Sequence, residues 1–208
     1  DLNEAIDRFG ADAFRYFLLR EVPFDADGNF SWERFEERYN SDLANAWGNF
    51  ASRTISMIER YRGGFVPAGR DETLDDEAGA AIAAYHRAID GSHGYLLHEA
   101  LKAVWQMVFR ANEFVDRQAP WKLAKDSAND AELDRTLGAL ARELARQCVL
   151  LAPFMPGKCD ELWRMLGAPG HVSDGTFDSL LSLDPAGWKV TKGEPLFPKE
   201  QKPASPKL

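Results

Sequence analysis

Asn49 and Arg53 have types and spacing that could do chemistry. They stand four residues apart, so on an α-helix their side chains lie one above the other on a single face. A carboxamide beside a guanidinium offers donors and an acceptor in the pattern that reads the edge of an unpaired base. Trp121 directly follows Pro120 at what reads as a helix–helix junction. Proline there fixes the direction of the chain, and an exposed indole held in that way is a stacking platform for a base. Neither signal is specific alone. Any solvated helix face carries Asn and Arg, and a Trp between two helices usually fills the core. From spacing alone these ordinary readings outweigh the special ones.

The search for catalytic groups yields no catalytic residue. The sequence has no glycine-rich phosphate loop, no G-x-S-x-G and no H-E-x-x-H. Its many carboxylates read as solvated, whereas an acid/base pair needs burial to shift its pKa. Cys148 and Cys159 are eleven apart, and His86, His93, His98 and His171 do not complete a zinc set. No metal site is assigned, and two free thiols in a reducing compartment are expected.

The 208 residues are 45% hydrophobic and 28% charged, as in an ordinary globular protein. No apolar run approaches the roughly 20 residues that span a bilayer, and no signal peptide is evident, so a cytoplasmic location is expected. The chain opens at Asp1 in sequence that already reads as structured, which suggests that something precedes it. The net charge of −8 argues against a broad, non-specific nucleic-acid binder but leaves room for a local patch. Charge is uneven: 49–70 carries Arg53, Arg60, Arg62 and Arg70 against Glu59 alone, and 71–77 holds five acids. The acidic run reads as a solvated linker or a helix start.

The elements that position Asn49, Arg53 and Trp121 are helices, with no convincing strand. Short helices are predicted over 1–8 and 11–20, broken by Gly10, then by Pro23 and a turn at 25–28; Ser31 reads as an N-cap. Over 41–61, Leu43, Trp47, Phe50, Thr54, Ile58 and Tyr61 recur at steps of three and four, opposite Asn45, Asn49, Ser52, Arg53, Ser56 and Arg60. Gly63 ends that helix. Further helices are predicted over 74–90, from 97 to near Ala119, from the Pro120–Trp121 corner, over 133–151 and over 157–166. Asn112 falls on the apolar face of its helix, where a buried amide needs partners; the backbone of 118–121 is the expected one. After Gly170 the chain reads as irregular, with Leu196-Phe197-Pro198 as a last apolar anchor and 199–208 as a Lys/Pro tail. The expected fold is all-α: an antiparallel helical bundle with an irregular C-terminal extension.

Four segments carry a resemblance. The run from Arg8 to Arg20 (RFGADAFRYFLLR) resembles the segment after the KMSKS loop of class I aminoacyl-tRNA synthetases. Asn40 to Arg53 (NSDLANAWGNFASR) is similar to the first long helix of the methionyl anticodon-binding domain. Ala111 to Lys125 (ANEFVDRQAPWKLAK) resembles its Ala-Pro-Trp corner. Leu151 to Pro156 (LAPFMP), with Leu162-Trp163 and Leu166-Gly167, matches its later helices. Together they span roughly residues 1–198, in the right order.

The resemblance to methionyl-tRNA synthetases implies that Asn49 and Arg53 bond the edges of CAU anticodon bases and that Trp121 stacks on one. It implies that Pro120 shapes the corner and that Asp116 sits near it to repel wrong anticodons. It divides the chain into stem-contact helices over 1–40, an anticodon-binding bundle over 41–170 and an extension over 171–208. The family attaches methionine to tRNA(Met) using ATP, through HIGH and KMSKS motifs and often a zinc knuckle. None of these is in this sequence. The segment is expected to bind tRNA without charging it, and to need no cofactor of its own: ATP, methionine and any zinc belong to the catalytic part. Its own catalytic domain is an expected partner, which predicts an exposed apolar patch around Phe14 and Phe17. The alternatives are the anticodon-binding domain of another class I synthetase (isoleucine, valine, leucine or cysteine) and a non-catalytic helical interaction module.

Overall fold

Gly10 separates the first two helices of the computed structural model, which describes residues 2–21, 30–92 and 94–199. They are α1 (Leu2–Phe9) and α2 (Ala11–Glu21). The predicted turn at Pro23 and 25–28 lies outside the described residues, as do 200–208 of the tail. Phe14 and Phe17 are not an exposed patch. They are buried and pack edge-on against Phe35 and Phe30. The solvent-facing apolar side chains of this region are instead Ile6, Leu18 and Phe30.

Ser31 caps α3 (Trp32–Arg38), its hydroxyl accepting from the Arg34 N–H. α3 runs without a break into a ten-residue π-helix (Tyr39–Gly48) and on into α4 (Asn49–Arg62). Periodicity predicts one α-helix over 41–61; the structure has a wider turn over its first part. At the seam the Asn49 N–H reaches back to the Ala44 carbonyl, five residues before it. Gly48 permits this geometry, because a Cβ there would lie 2.8 Å from the Leu43 carbonyl oxygen. The apolar face survives the change of winding: Leu43, Trp47, Phe50, Thr54 and Ile58 are all buried, with Tyr61 half-buried at the end. Gly63, left-handed at φ 60°, closes α4.

Asp71 caps α5 (Glu72–Ile89), so the acidic run is a helix start. α6 (Leu97–Gln118) pairs antiparallel with α5, and α7 (Pro120–Leu123) is a single turn. α8 (Asp130–Leu151) is the centre of the bundle, packed against α4, α5, α6 and α7 and against α9 (Pro156–Met165). Sequence predicts one apolar face for α8, but from Thr136 to Cys148 every residue is buried. Gly138 lets the 67–69 link cross it, since a Cβ there would meet the Pro67 carbonyl and the Gly69 backbone at 2.6 Å.

Burial all round α8 overturns the expectation that the carboxylates are solvated. Glu143 is 2% exposed, beside buried Arg142, Arg146 and Gln147. Loss of solvent pushes its carboxyl from the ordinary 4.5 up to about 7, against the pull of Arg146. Both cysteines are buried and free, the Cys148 thiol donating to the Cys159 carbonyl at 3.2 Å.

Long-range bonds tie 2–42 to the bundle. Tyr16 stacks on Trp105 with centroids 4.6 Å apart, and its hydroxyl donates to the Asp42 carboxylate at 2.7 Å. Burial, the nearby Asp42 charge and that bond raise the phenol's pKa. Arg38 bridges Asp42 to Glu21. Arg15 donates to the carbonyls of Pro153 and Phe154, and Asp12 accepts from the Lys158 N–H in the first turn of α9.

The extension after Gly170 is irregular, as predicted, but closely attached. It contains α10 (Phe177–Leu180), whose last carbonyl and that of Leu181 accept from Arg146. Asp184 binds Arg142 at 2.8 Å. The chain then pairs with the 64–66 backbone through the Val66–Trp188 and Gly64–Val190 bonds. Leu196 and Phe197 are buried against the π-helix, where Phe197 meets Tyr39 and Trp47.

Candidate nucleic-acid interface

α4, α6 and α7 bring three of the five predicted site residues into contact. Arg53 projects from α4 and donates to the Asp116 carboxylate of α6 at 2.8 Å. Its guanidinium carbon also lies 5.7 Å from the centroid of the Trp121 ring. A half-exposed arginine is thereby held between a carboxylate and an indole face, partly oriented before any ligand arrives. Trp121 is 39% exposed, so its ring is open to a stacking partner. Asn49 is exposed one turn before Arg53 on the same helix.

Pro120 is buried and makes no outward contact; it is the first residue of α7. Ala119 before it takes the left-handed conformation at φ 45° and ψ 61°. Sequence predicts that the residue before a proline leaves helical geometry, and it does, into a region that L-residues seldom occupy. Three bonds hold it: its N–H to the Val115 carbonyl at 2.9 Å, and its own carbonyl accepting from Lys122 and Leu123. This turn aims the indole at Arg53.

Asn112 does not serve the 118–121 corner. Its amide donates to its own-helix Val108 carbonyl at 2.9 Å and to the Ala46 carbonyl of the π-helix at 3.3 Å. The π winding changes which carbonyls are engaged along the helix, and Asn112 reaches one of them. It therefore pins α6 to the segment that leads into Asn49.

Two hollows lie side by side on this surface. One, about 260 Å³, is lined by Ser52, Arg53, Ser56, Met57, Tyr61 and Trp121. The other, about 520 Å³, is lined by Asn45, Asn49 and Ser52 on one side and by Pro195–Lys199 on the other. Ser52 lines both, so they adjoin at that residue as the two parts of a trough. No carboxylate lines either hollow, in a chain with 33 acidic residues. The groove between α5 and α6, by contrast, is lined by Glu77, Glu113 and Glu143. An acid-free trough with an arginine, a lysine, small polar groups and an open indole admits a phosphate-bearing, base-bearing strand. Sequence places Ser52 and Ser56 on the polar face. It does not place Met57, Tyr61 or the 195–199 segment at the site, because those contacts are set by tertiary packing.

Among the described residues no cluster of His, Cys, Asp or Glu has a metal-binding arrangement, and no helix is long and apolar enough to cross a membrane.

Known proteins match this chain along nearly its whole length. The family described as "Anticodon binding domain of methionyl tRNA ligase" matches residues 63–204, and the family "tRNA synthetases class I (M)" matches residues 1–55. Methionine–tRNA ligase 1 of Bacillus anthracis is 40% identical over 202 residues, covering 93% of this chain and 30% of that protein. The methionine–tRNA ligase of Streptomyces coelicolor is 38% identical over 213 residues, covering 95% and 39%. In structure, apo Mycobacterium tuberculosis methionyl-tRNA synthetase superposes with a TM-score of 0.85 at 30% identity, covering 98% of this chain and 41% of that one. The chain thus spans about 30% of the length of the first curated relatives. On its fold, and on a family match over two-thirds of its residues, the chain belongs to the methionyl-tRNA ligase anticodon-binding domains.

Proposed function

We propose that the trough reads the CAU anticodon of a methionine tRNA. In this reading Asn49 and Arg53 bond the polar edges of the bases, Trp121 stacks on one, and Pro120 fixes the corner that presents it. Asp116 holds Arg53 in place until a base competes for the guanidinium, and its charge disfavours a base edge that offers only acceptors there. The observation that supports this most is the meeting of Arg53, Asp116 and Trp121 at the rim of an acid-free trough.

The relatives are methionine–tRNA ligases, so the whole protein is read as an ATP-dependent ligase of the cytoplasm that joins methionine to its tRNA. This segment supplies recognition, and the catalytic domain supplies the chemistry with its ATP, methionine and any zinc. Titration of the 208-residue chain with anticodon stem-loops tests the reading. The CAU hairpin is expected to bind about five- to 150-fold more tightly than hairpins with one anticodon base changed, each lost contact being worth about 1–3 kcal/mol. Equal affinity for all hairpins rejects it. Preference for an isoleucine, valine, leucine or cysteine anticodon points to the sister enzymes instead.

A further inference from the structure

We infer that the C-terminal segment Pro195–Lys199 is the second wall of the reading site and takes the unpaired nucleotide next to the one stacked on Trp121. This rests on the anticodon reading above.

The segment is seated for that task. Tyr39 donates to the Pro198 carbonyl at 2.8 Å, and Phe197 is buried between Tyr39 and Trp47, which line the inner side of the π-helix. Gly48 lies against it, a Cβ there standing at ordinary van der Waals distance, 3.5 Å, from the Phe197 ring. Lys158 lies over that ring at 5.9 Å. Anchored so, the segment presents Pro195, Pro198 and Lys199 outward, facing Asn45, Asn49 and Ser52 across the larger hollow. The exposed Pro198 ring is a flat apolar surface for a base, the carboxamides and the hydroxyl are hydrogen-bonding partners, and Lys199 is a phosphate contact. The hollow adjoins the one beside Trp121 at Ser52, so neighbouring nucleotides of one strand would sit one in each.

The test uses the 208-residue chain with exposed substitutions that leave the Phe197 anchor intact. Wild type, the double variant Pro198→Ala/Lys199→Ala, and Trp121→Ala are titrated with the CAU hairpin and with hairpins made abasic at each loop position in turn. Circular dichroism checks that helical content is unchanged. The double variant is expected to bind the intact hairpin about three- to tenfold more weakly and to lower the salt slope by about one. At one loop position next to the Trp121-dependent one, the abasic change is expected to cost wild type several-fold and the double variant almost nothing, as coupled partners do. Equal losses for the two proteins at every loop position, with equal salt slopes, overturn the inference and leave the anticodon reading standing. If Trp121→Ala binds the CAU hairpin as wild type does, the anticodon reading fails and takes the inference with it.

Discussion

Trp121 owes its aim to the two residues before it. Ala119 turns the chain through the left-handed region and Pro120 starts the next helix, so the indole faces Arg53 across the trough. Trp121→Ala is expected to weaken hairpin binding by about 1–3 kcal/mol, the worth of one stacked base, in the titrations described above. Gly48 is the other residue with a fixed demand. Gly48→Ala forces a methyl to 2.8 Å from the Leu43 carbonyl and is expected to cost about 1–3 kcal/mol in urea unfolding; an unchanged midpoint would show that the π winding is not under this constraint. Helical spacing placed Asn49 and Arg53 on one face, and the proline before Trp121 marked a helix junction, but only the resemblance gave these residues a role. The Arg53–Asp116 bond was not legible, because 63 residues separate the partners. Asn112 announced a partner by its apolar setting but not which one, because the Ala46 carbonyl is presented by a winding that periodicity does not reveal.

At the scale of elements, α8 departs furthest from its pattern. Its leucine stripe marked a helix correctly, yet a stripe predicts one buried face and α8 is enclosed on all sides. Enclosure follows from the C-terminal extension folding over the polar face, which Arg142 and Arg146 hold through Asp184, Leu180 and Leu181. Glu143, which lines the groove between α5 and α6, carries a pH signature. Its folded pKa, about 7, stands above its ordinary 4.5, so between those values the folded state binds more protons than the unfolded one. The stability associated with this group is therefore full below about pH 4.5 and is lost as pH rises through 7. Glu143→Gln removes the titration. Relative to wild type, the variant is expected to gain up to about 3 kcal/mol between pH 4 and pH 8, measured by urea unfolding at several pH values. A wild-type-minus-variant difference that is flat with pH would mean that Glu143 titrates alike in the folded and unfolded chain.

Across the whole molecule, a net charge of −8 coexists with two adjoining hollows whose linings hold no carboxylate, Asp116 standing at their rim. In the proposed binding mode phosphate contacts are few: Lys199 is one, and Arg53, the other cation that lines the trough, is assigned to base edges. For about two contacts on a single strand, hairpin affinity is expected to fall roughly tenfold or less between 50 and 200 mM salt. A fall of several hundredfold would reveal a wider basic footprint elsewhere. The overall architecture was legible from helical periodicity, since local hydrophobic spacing is what specifies a bundle. The route of residues 171–199 was not, because it is fixed by single long-range bonds such as Tyr39 to Pro198 rather than by any repeat.

The π-helix between α3 and α4 has one more consequence. It joins the helices that read as the stem-contact region to the reading face through a single continuous rod. Each residue of an α-helix advances the rod by about 100°, so the winding of these ten residues sets the compass bearing of Asn49 and Arg53 relative to everything before Trp32. Deleting one residue from this stretch would set the Tyr16 and Arg38 bonds to Asp42 against the packing of α4 on α8, since one residue of an α-helix is worth about 100° of turn. Length here is therefore a directional constraint: substitutions that keep the winding are tolerable, whereas a change of one in the residue count is not.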